Sequence, residues 1–419
     1  MRGRGTPRGG SETHGTKVEL VRDLLIVPPD PRGHGEAVCD LGAKAFSGGG
    51  YFRMRDYCRK GYVLGSHYDW LASRIGLLDG RLVTHFGVWG YQMRIGTARV
   101  CAGGIGMVAT DGDCCKRGLM AATARASVEA MRRLGYDLSI LFGIDDFYDR
   151  FGYVRAWGET AWTVRREDLP AGGPKVQLRK FKPVHRDDIA DIYNRENATQ
   201  TGTAVRPTYP RHVYGDAQEG YLWTDARGRP VGYVGVGVKP GFLECVEAGG
   251  DVEQVLRVLA RLAARAERQE IQFSMFSDTR PLIRRVREGN CRAETRYRRC
   301  GGVMVATINL VSTLAKMAPE LQRRLAASHL ARWRGNLLVA DARQQAVLRI
   351  DRSRVKVAEG GKAEHAIRGG DRVAQLLIGA DDPAAIIAAA GMKTAGEARR
   401  LAEVLFPNEH PQLSLRDRF

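Results

Sequence analysis

Apolar positions along this chain recur with two different periods, and the switches between them mark its elements. Residues 74–78, 81–90 and 100–110 are apolar over strand-length stretches and predict β-strands, with Asp79-Gly80 as the hairpin turn between the first two. Residues 118–134 switch to the helical period. Leu119, Ala122, Ala126, Ala130 and Leu134 share one face, charged residues the other, and Gly135 fits a C-terminal cap. Residues 138–142 predict a short strand. Leu169-Pro170-Ala171-Gly172-Gly173-Pro174 reads as a linker. Beyond it the order restarts in reduced form. A strand is expected at 176–181, a helix at 187–194, hairpin strands at 221–224 and 231–238, a helix at 251–268 and a strand at 271–276. This predicts a duplicated fold whose second copy has lost its site. A third segment has a helix at 313–325, hairpin strands at 335–341 and 346–351, an apolar stretch at 371–378, and helices at 383–390 and 394–406. Ala- and Leu-rich helices over a small sheet predict a separate α+β layer.

A chain of 419 residues exceeds one ordinary core and predicts two to four domains. Residues 1–16, rich in Gly and Arg, read as a disordered arm without the apolar stretch of a secretory signal. No apolar run approaches the roughly 20 residues of a membrane span, so a cytoplasmic protein with no membrane association is expected. The eight cysteines form no C-x-x-C pair and have no zinc spacing, which predicts reduced thiols and no metal site. The net charge of +18 raises nucleic acid as a partner. Only 12 of the 65 basic residues are lysine, and the arginines are spread along the whole chain, which disfavours that reading. A local basic patch still suits a polyanionic cofactor.

One such patch sits in a strand–loop–helix unit. The strand Ile105-Gly106-Met107-Val108-Ala109-Thr110 leads through Asp111-Gly112-Asp113-Cys114-Cys115-Lys116-Arg117-Gly118 into the helix. A helix N-terminus offers unpaired N–H groups and partial positive charge, which together bind a pyrophosphate. Lys116 and Arg117 add full charges, and Gly118 lets the backbone approach closely. No G-x-G-x-x-G occupies a strand-to-helix turn and the Walker pattern is absent, so a Rossmann or P-loop site is disfavoured. One strand downstream lies Phe147-Tyr148-Asp149-Arg150-Phe151-Gly152-Tyr153. A tyrosine, with a pKa of about 10, can protonate a departing thiolate.

With both motifs present, the sequence resembles the GNAT superfamily of N-acetyltransferases, and more narrowly its enhanced-intracellular-survival (Eis-like) members. The run Arg179-Lys180-Phe181-Lys182-Pro183-Val184-His185-Arg186 is similar to the start of that family's middle domain, and the chain ends Asp417-Arg418-Phe419. The resemblance implies an α+β (α/β GNAT) fold with a catalytic GNAT domain at 17–170, a second, inactive GNAT-like domain at 171–306 and a sterol-carrier-protein-like α+β domain at 307–419. It implies acetyl-CoA as co-substrate and a primary amine as acceptor, on an aminoglycoside-like small molecule or a lysine side chain. It also implies a homo-oligomer, a hexamer. Tyr148 would be the general acid and the α-carboxylate of Phe419 the base. The cofactor contacts carried over are Gly106, Met107, Val108, Lys116, Arg117, Gly118, Leu119, Met120, Ala121, Gly143 and Ile144. The chain departs from the family in three places. Cys115 and Met120 replace expected turn residues, Asp111 and Asp113 would repel phosphates, and Arg418 stands where aminoglycoside-modifying members carry Glu. Asp417, Asp145 and Asp146 are the acids left for a cationic acceptor. The alternative function is a non-catalytic lipid- or acyl-CoA-binding protein.

Overall fold

A computed structural model describes residues 23–48, 50–144, 146–170, 172–173, 176–206 and 219–419. The expected arm at 1–16 lies outside the described residues. The first run of elements is β1 (Leu25–Val27), α1 (Gly35–Phe46), α2 (Tyr51–Tyr57), β2 (Arg74–Leu78), β3 (Arg81–Ile95), β4 (Ala98–Thr110), α3 (Leu119–Arg133), β5 (Leu138–Ile144), β6 (Val154–Arg155) and β7 (Glu159–Arg165). The second run is β8 (Arg179–Lys180), α4 (Arg186–Glu196), β9 (Glu219–Thr224), β10 (Pro230–Val238), β11 (Phe242–Gly249), α5 (Val252–Arg265), β12 (Glu270–Ser274), α6 (Pro281–Arg287), β13 (Cys291–Arg296) and β14 (Cys300–Thr307).

The turn chemistry acts as expected. Asp79 and Gly80 both take positive φ, 49° and 76°, as a two-residue hairpin turn requires. Gly135 ends α3 at φ 79°. The buried face of α3 differs from the expected one. Met120, Thr123, Ala124, Ser127, Val128 and Met131 are buried with Leu119 and Ala130, whereas Leu134 is 45% exposed. Thr123 and Ser127 go inside because each has a partner: the Thr84 hydroxyl at 2.7 Å and the Ala72 carbonyl at 2.9 Å. The expected strand at 176–181 shrinks to β8, and β11 and α1–α2 had no counterpart in the pattern. Near the C-terminus, the stretch expected as a helix from residue 394 opens as the strand Lys393–Ala395 before the helix Ala398–Leu405.

Sheet membership crosses position 170. The first sheet runs β1-β2-β3-β4-β5-β14-β6 and the second β13-β7-β12-β11-β10-β9-β8. Each sheet thus takes one inner strand from the other run. β14 pairs antiparallel with β5, and β7 lies between β12 and β13. Pulling the two halves apart would break both ladders. One face of the first sheet is covered by α3. The other packs on α7 (Leu310–Ala326) and a third sheet of five strands, so Met93, Ile140 and Val305 share a core with Leu314, Met317, Leu348 and Leu405. No helix among the described residues is long and apolar enough to cross a membrane.

Candidate active site

β4 and β5 are parallel, but they pair only from Ala102↔Leu138 to Ile105↔Leu141. Beyond Ile105 they separate, each keeping its outer partner, β3 or β14. A wedge opens inside the sheet, with Gly106, Met107 and Val108 on one side and Gly143 and Ile144 on the other. Backbone edges facing such a wedge can pair with an extended amide chain.

The β4 side carries a β-bulge. Gly87 pairs with Gly106 and His85 with Ala109, so Met107 and Val108 together oppose Phe86. Met107 takes φ +46°, a costly conformation for a residue with a side chain. His85 holds it in place. Its Nδ1 donates to the Met107 carbonyl at 2.7 Å, and the Tyr68 hydroxyl lies 2.7 Å from its Nε2. A carbonyl only accepts, so Nδ1 carries the proton and Tyr68 donates to Nε2. Burial lowers the His85 pKa from 6.5 to about 4. The folded protein therefore keeps this ring neutral where the unfolded chain would protonate it. Its contribution to stability is intact above the unfolded pKa and declines as pH falls from about 6.5 toward 4. Thermal unfolding across that window should show a shallower pH slope in His85→Asn, whose amide can still donate to Met107. An unchanged slope would refute this.

The β4–α3–β5 crossover brings the N-terminus of α3 to the carboxyl ends of both parallel strands, where they part. The loop before it turns twice through left-handed conformations, Lys116 at φ 61° and Gly118 at φ 77°. Lys116, Arg117 and Gly118 are exposed, whereas Leu119 and Met120 start the helix buried and Ala121 is half-buried. The first turn of α3 contains no acid. Asp111, expected to repel phosphates, is engaged elsewhere. Its side chain accepts from the Asp113 amide at 3.2 Å and lies 3.4 Å from Arg81.

Tyr148 and Phe419 approach β5 from opposite faces. The Tyr148 ring packs on Gly143 so closely that a Cβ there would be 2.7 Å from its Cδ2. It stands edge-on to Phe147 and Tyr153, and burial pushes its phenol up to about 12. Phe419 lies on the other face, its ring 5.8 Å from that of Phe142 and 6.0 Å from that of Tyr91. It occupies the space a side chain at Gly104 would need. Its carboxyl carbon is 3.1 Å from where a Gly106 Cβ would be, beside the Tyr62 hydroxyl and the Trp89 ring. Gly104 and Gly106 thus let the chain terminus reach β4.

Tyr62, Tyr68, His85 and Trp89 were not anticipated. The two tyrosines lie in an aromatic stretch without helical or strand period, and His85 and Trp89 sit within a strand whose apolar pattern hides their role. Of the acids expected to serve a cationic acceptor, Asp417 is buried and paired with Arg206, whereas Asp146 is exposed, 3.4 Å from the equally exposed Arg299. Asp145 is outside the described residues. No group of acids, histidines and cysteines among the described residues could hold a metal ion.

Comparison with known proteins assigns the class. Residues 35–156 match the family model described as the acetyltransferase (GNAT) domain. A GNAT acetyltransferase domain in this part of the chain supports an N-acetyltransferase. The chain's whole fold is similar to a GCN5-related N-acetyltransferase from Kribbella flavida (18% identity, TM-score 0.72, 95% of this chain and 100% of that one). It is also similar to a probable N-acyltransferase from Enterococcus faecalis (16%, 0.73, 94% and 99%) and to Eis1 from Mycobacterium abscessus (15%, 0.66, 94% and 100%). No curated protein matches the sequence.

Proposed function

We propose that the enzyme transfers an acetyl group from acetyl-CoA to a primary amine, with Tyr148 as general acid and the Phe419 carboxylate as general base. The observation that carries this reading is the position of the chain terminus. The Phe419 carboxyl group is set against Gly106, at the mouth of a wedge whose other strand packs Tyr148.

The surroundings fit the co-substrate. Lys116, Arg117 and the acid-free N-terminus of α3 suit its phosphates, and Gly112 and Gly118 leave open space where side chains would stand. Bound there, acetyl-CoA supplies an acyl group activated as a thioester. The Phe419 carboxylate takes a proton from the acceptor ammonium, directly or through a water. Amides at the Met107–Val108 bulge face the developing oxyanion. Tyr148 delivers a proton to the leaving sulfur.

The acceptor is a small-molecule amine or a lysine side chain. With Arg418 beside the terminal residue and Asp417 already paired, a strongly polycationic acceptor is the less favoured member of that set. The proposal extends to Eis-like organisation: a second GNAT-like unit, a sterol-carrier-like C-terminal domain and hexameric assembly. Leu314, Met317, Leu321, Leu401 and Phe406 pack in the core that the C-terminal segment shares with the first sheet.

Isothermal titration with acetyl-CoA should give saturable heat. A panel of amines and acyl-CoAs assayed by free-thiol release should show acceptor-dependent turnover. The absence of binding heat would overturn the enzyme reading, and turnover only with longer acyl chains would correct the donor.

A further inference from the structure

The second run of elements repeats the architecture of the first around its own parallel pair. β11 and β12 pair from Phe242↔Glu270 to Cys245↔Phe273, with α5 as the crossover and a bulge in β11 opposite β10. The connection into its helix is different. In place of the eight residues from Asp111 to Gly118 there are only Gly250 and Asp251, and the Asp251 side chain accepts from the Gln254 amide at 2.8 Å. A carboxylate already occupies the helix end where a phosphate would bind, so this unit cannot hold the nucleotide in the same manner.

What its sheet does hold is the C-terminal tail. The Gln412 amide donates to the Thr201 carbonyl at 3.0 Å, and the Ser414 hydroxyl to Glu247 at 3.3 Å. The Arg416 guanidinium lies over Gly235, where a side chain would collide with it. Asp417 receives both Nε and a terminal nitrogen of Arg206, each at 2.8 Å, and the Tyr193 hydroxyl at 2.9 Å. Arg206 also donates to Glu247 at 2.7 Å and stacks 3.6 Å from the Tyr193 ring centre. Arg206, Glu247, Asp417, Tyr193 and Arg416 are all at most 6% exposed.

We propose that the second unit acts as a clamp for the C-terminal tail, in which Arg206 and Tyr193 grip Asp417, Glu247 holds Arg206 and Ser414, and these positioning residues together set the Phe419 carboxylate at Gly106. The catalytic part of this proposal rests on the reading of Phe419 as the base. Among the described residues of the cluster, two arginines face two carboxylates. Burying four charges is expensive, and an apolar cluster of the same volume would stabilise the fold at least as well. What a bidentate ion pair adds is register, because it accepts one placement of the tail and rejects a one-residue slip. Chain ends fray by default, and the ring contacts of Phe419 are too unspecific to fix the direction of its carboxylate. The clamp is also indexed to the active site. The segment carrying Arg206 bonds along β3, the neighbour of β4: Arg94 N to Thr203 O at 2.9 Å, Gly202 N to Arg94 O at 2.9 Å and Val205 N to Gln92 O at 2.8 Å.

The test uses the full chain with Tyr193→Phe, which removes one hydroxyl, and Asp417→Asn, which removes the charge. Two readouts are needed: release of Phe419 by a carboxypeptidase that prefers aromatic ends, and kcat with KM for acetyl-CoA. Tyr193→Phe guards against a fold lost through an unpaired Arg206. The expected result is resistance to release in the wild type and faster release in both variants. With it, kcat falls by up to about 10²-fold at unchanged acetyl-CoA KM, the signature of a displaced group. Faster release with unaltered kcat would support the clamp and reject Phe419 as the base. Unaltered release in both variants would overturn the clamp.

Discussion

Deleting Phe419 should lower kcat by roughly 10²–10⁴, the range for losing a positioned general base, while acetyl-CoA still binds. Deletion leaves a carboxylate on Arg418, but moves it back by about 3.5 Å along the chain. It would then lie beside the Arg418 side chain, which pairs with Glu159 and stacks on Phe142. A free α-carboxylate has a pKa of about 3.5 and is a weak base in water. The Phe419 carboxyl carbon sits beside the Tyr62 hydroxyl and the Trp89 ring at Gly106, where the carboxylate can act directly or through a water. Phe419→Leu keeps the carboxylate and much of the apolar bulk, so its loss should be far smaller than that of the deletion. A short C-terminal extension should be as damaging as the deletion. If Phe419→Leu and the deletion were equally slow, the ring and not the carboxylate would be the working group. If neither mattered in a folded protein, the proposed base would be wrong.

Replacing Tyr148 by Phe should cost a comparable factor, roughly 10²–10⁴ in kcat, with little change in acetyl-CoA KM. The ring would still pack on Gly143 and against Phe147 and Tyr153, so the fold should tolerate the change. Burial raises the wild-type phenol from 10 to about 12. The acid is therefore fully protonated across the assay range, and no basic limb from Tyr148 should appear in the pH–rate profile below that value. A raised pKa makes the phenol a weaker donor, but the same dry surroundings make the departing thiolate a stronger acceptor. The variant should be slow at every pH, and least slow with a donor whose thiol is intrinsically acidic. A variant with wild-type kcat would remove Tyr148 from the mechanism.

Parts of this site are readable without coordinates because local chemistry dictates them. The strand, the basic loop and the helix from Leu119 are written in period, charge and a left-handed glycine at 118. The aromatic run at 147–153 follows at the spacing of the next strand. The buried face of α3 departs from its apolar pattern for an equally local reason. Thr123 and Ser127 count as polar until their partners are known, and those partners lie on β3 and in the segment before β2. β11 is hidden in the sequence because Glu244 and Glu247 interrupt its apolar run. Glu247 is buried because Arg206 and the Ser414 hydroxyl meet it there.

From the amino-acid order alone came the strand–basic loop–helix unit, the aromatic run and the reduced repeat of the element order. Short-range propensity, turn residues and helix-end electrostatics suffice for those. The proposed acid and terminal base came from the family resemblance. Which strand completes which sheet, the wedge beyond Ile105, the bulge held by His85 and the grip on Asp417 were settled only by tertiary structure. Each depends on groups brought together from distant parts of the chain, and no local pattern records which distant partner a buried polar group will find.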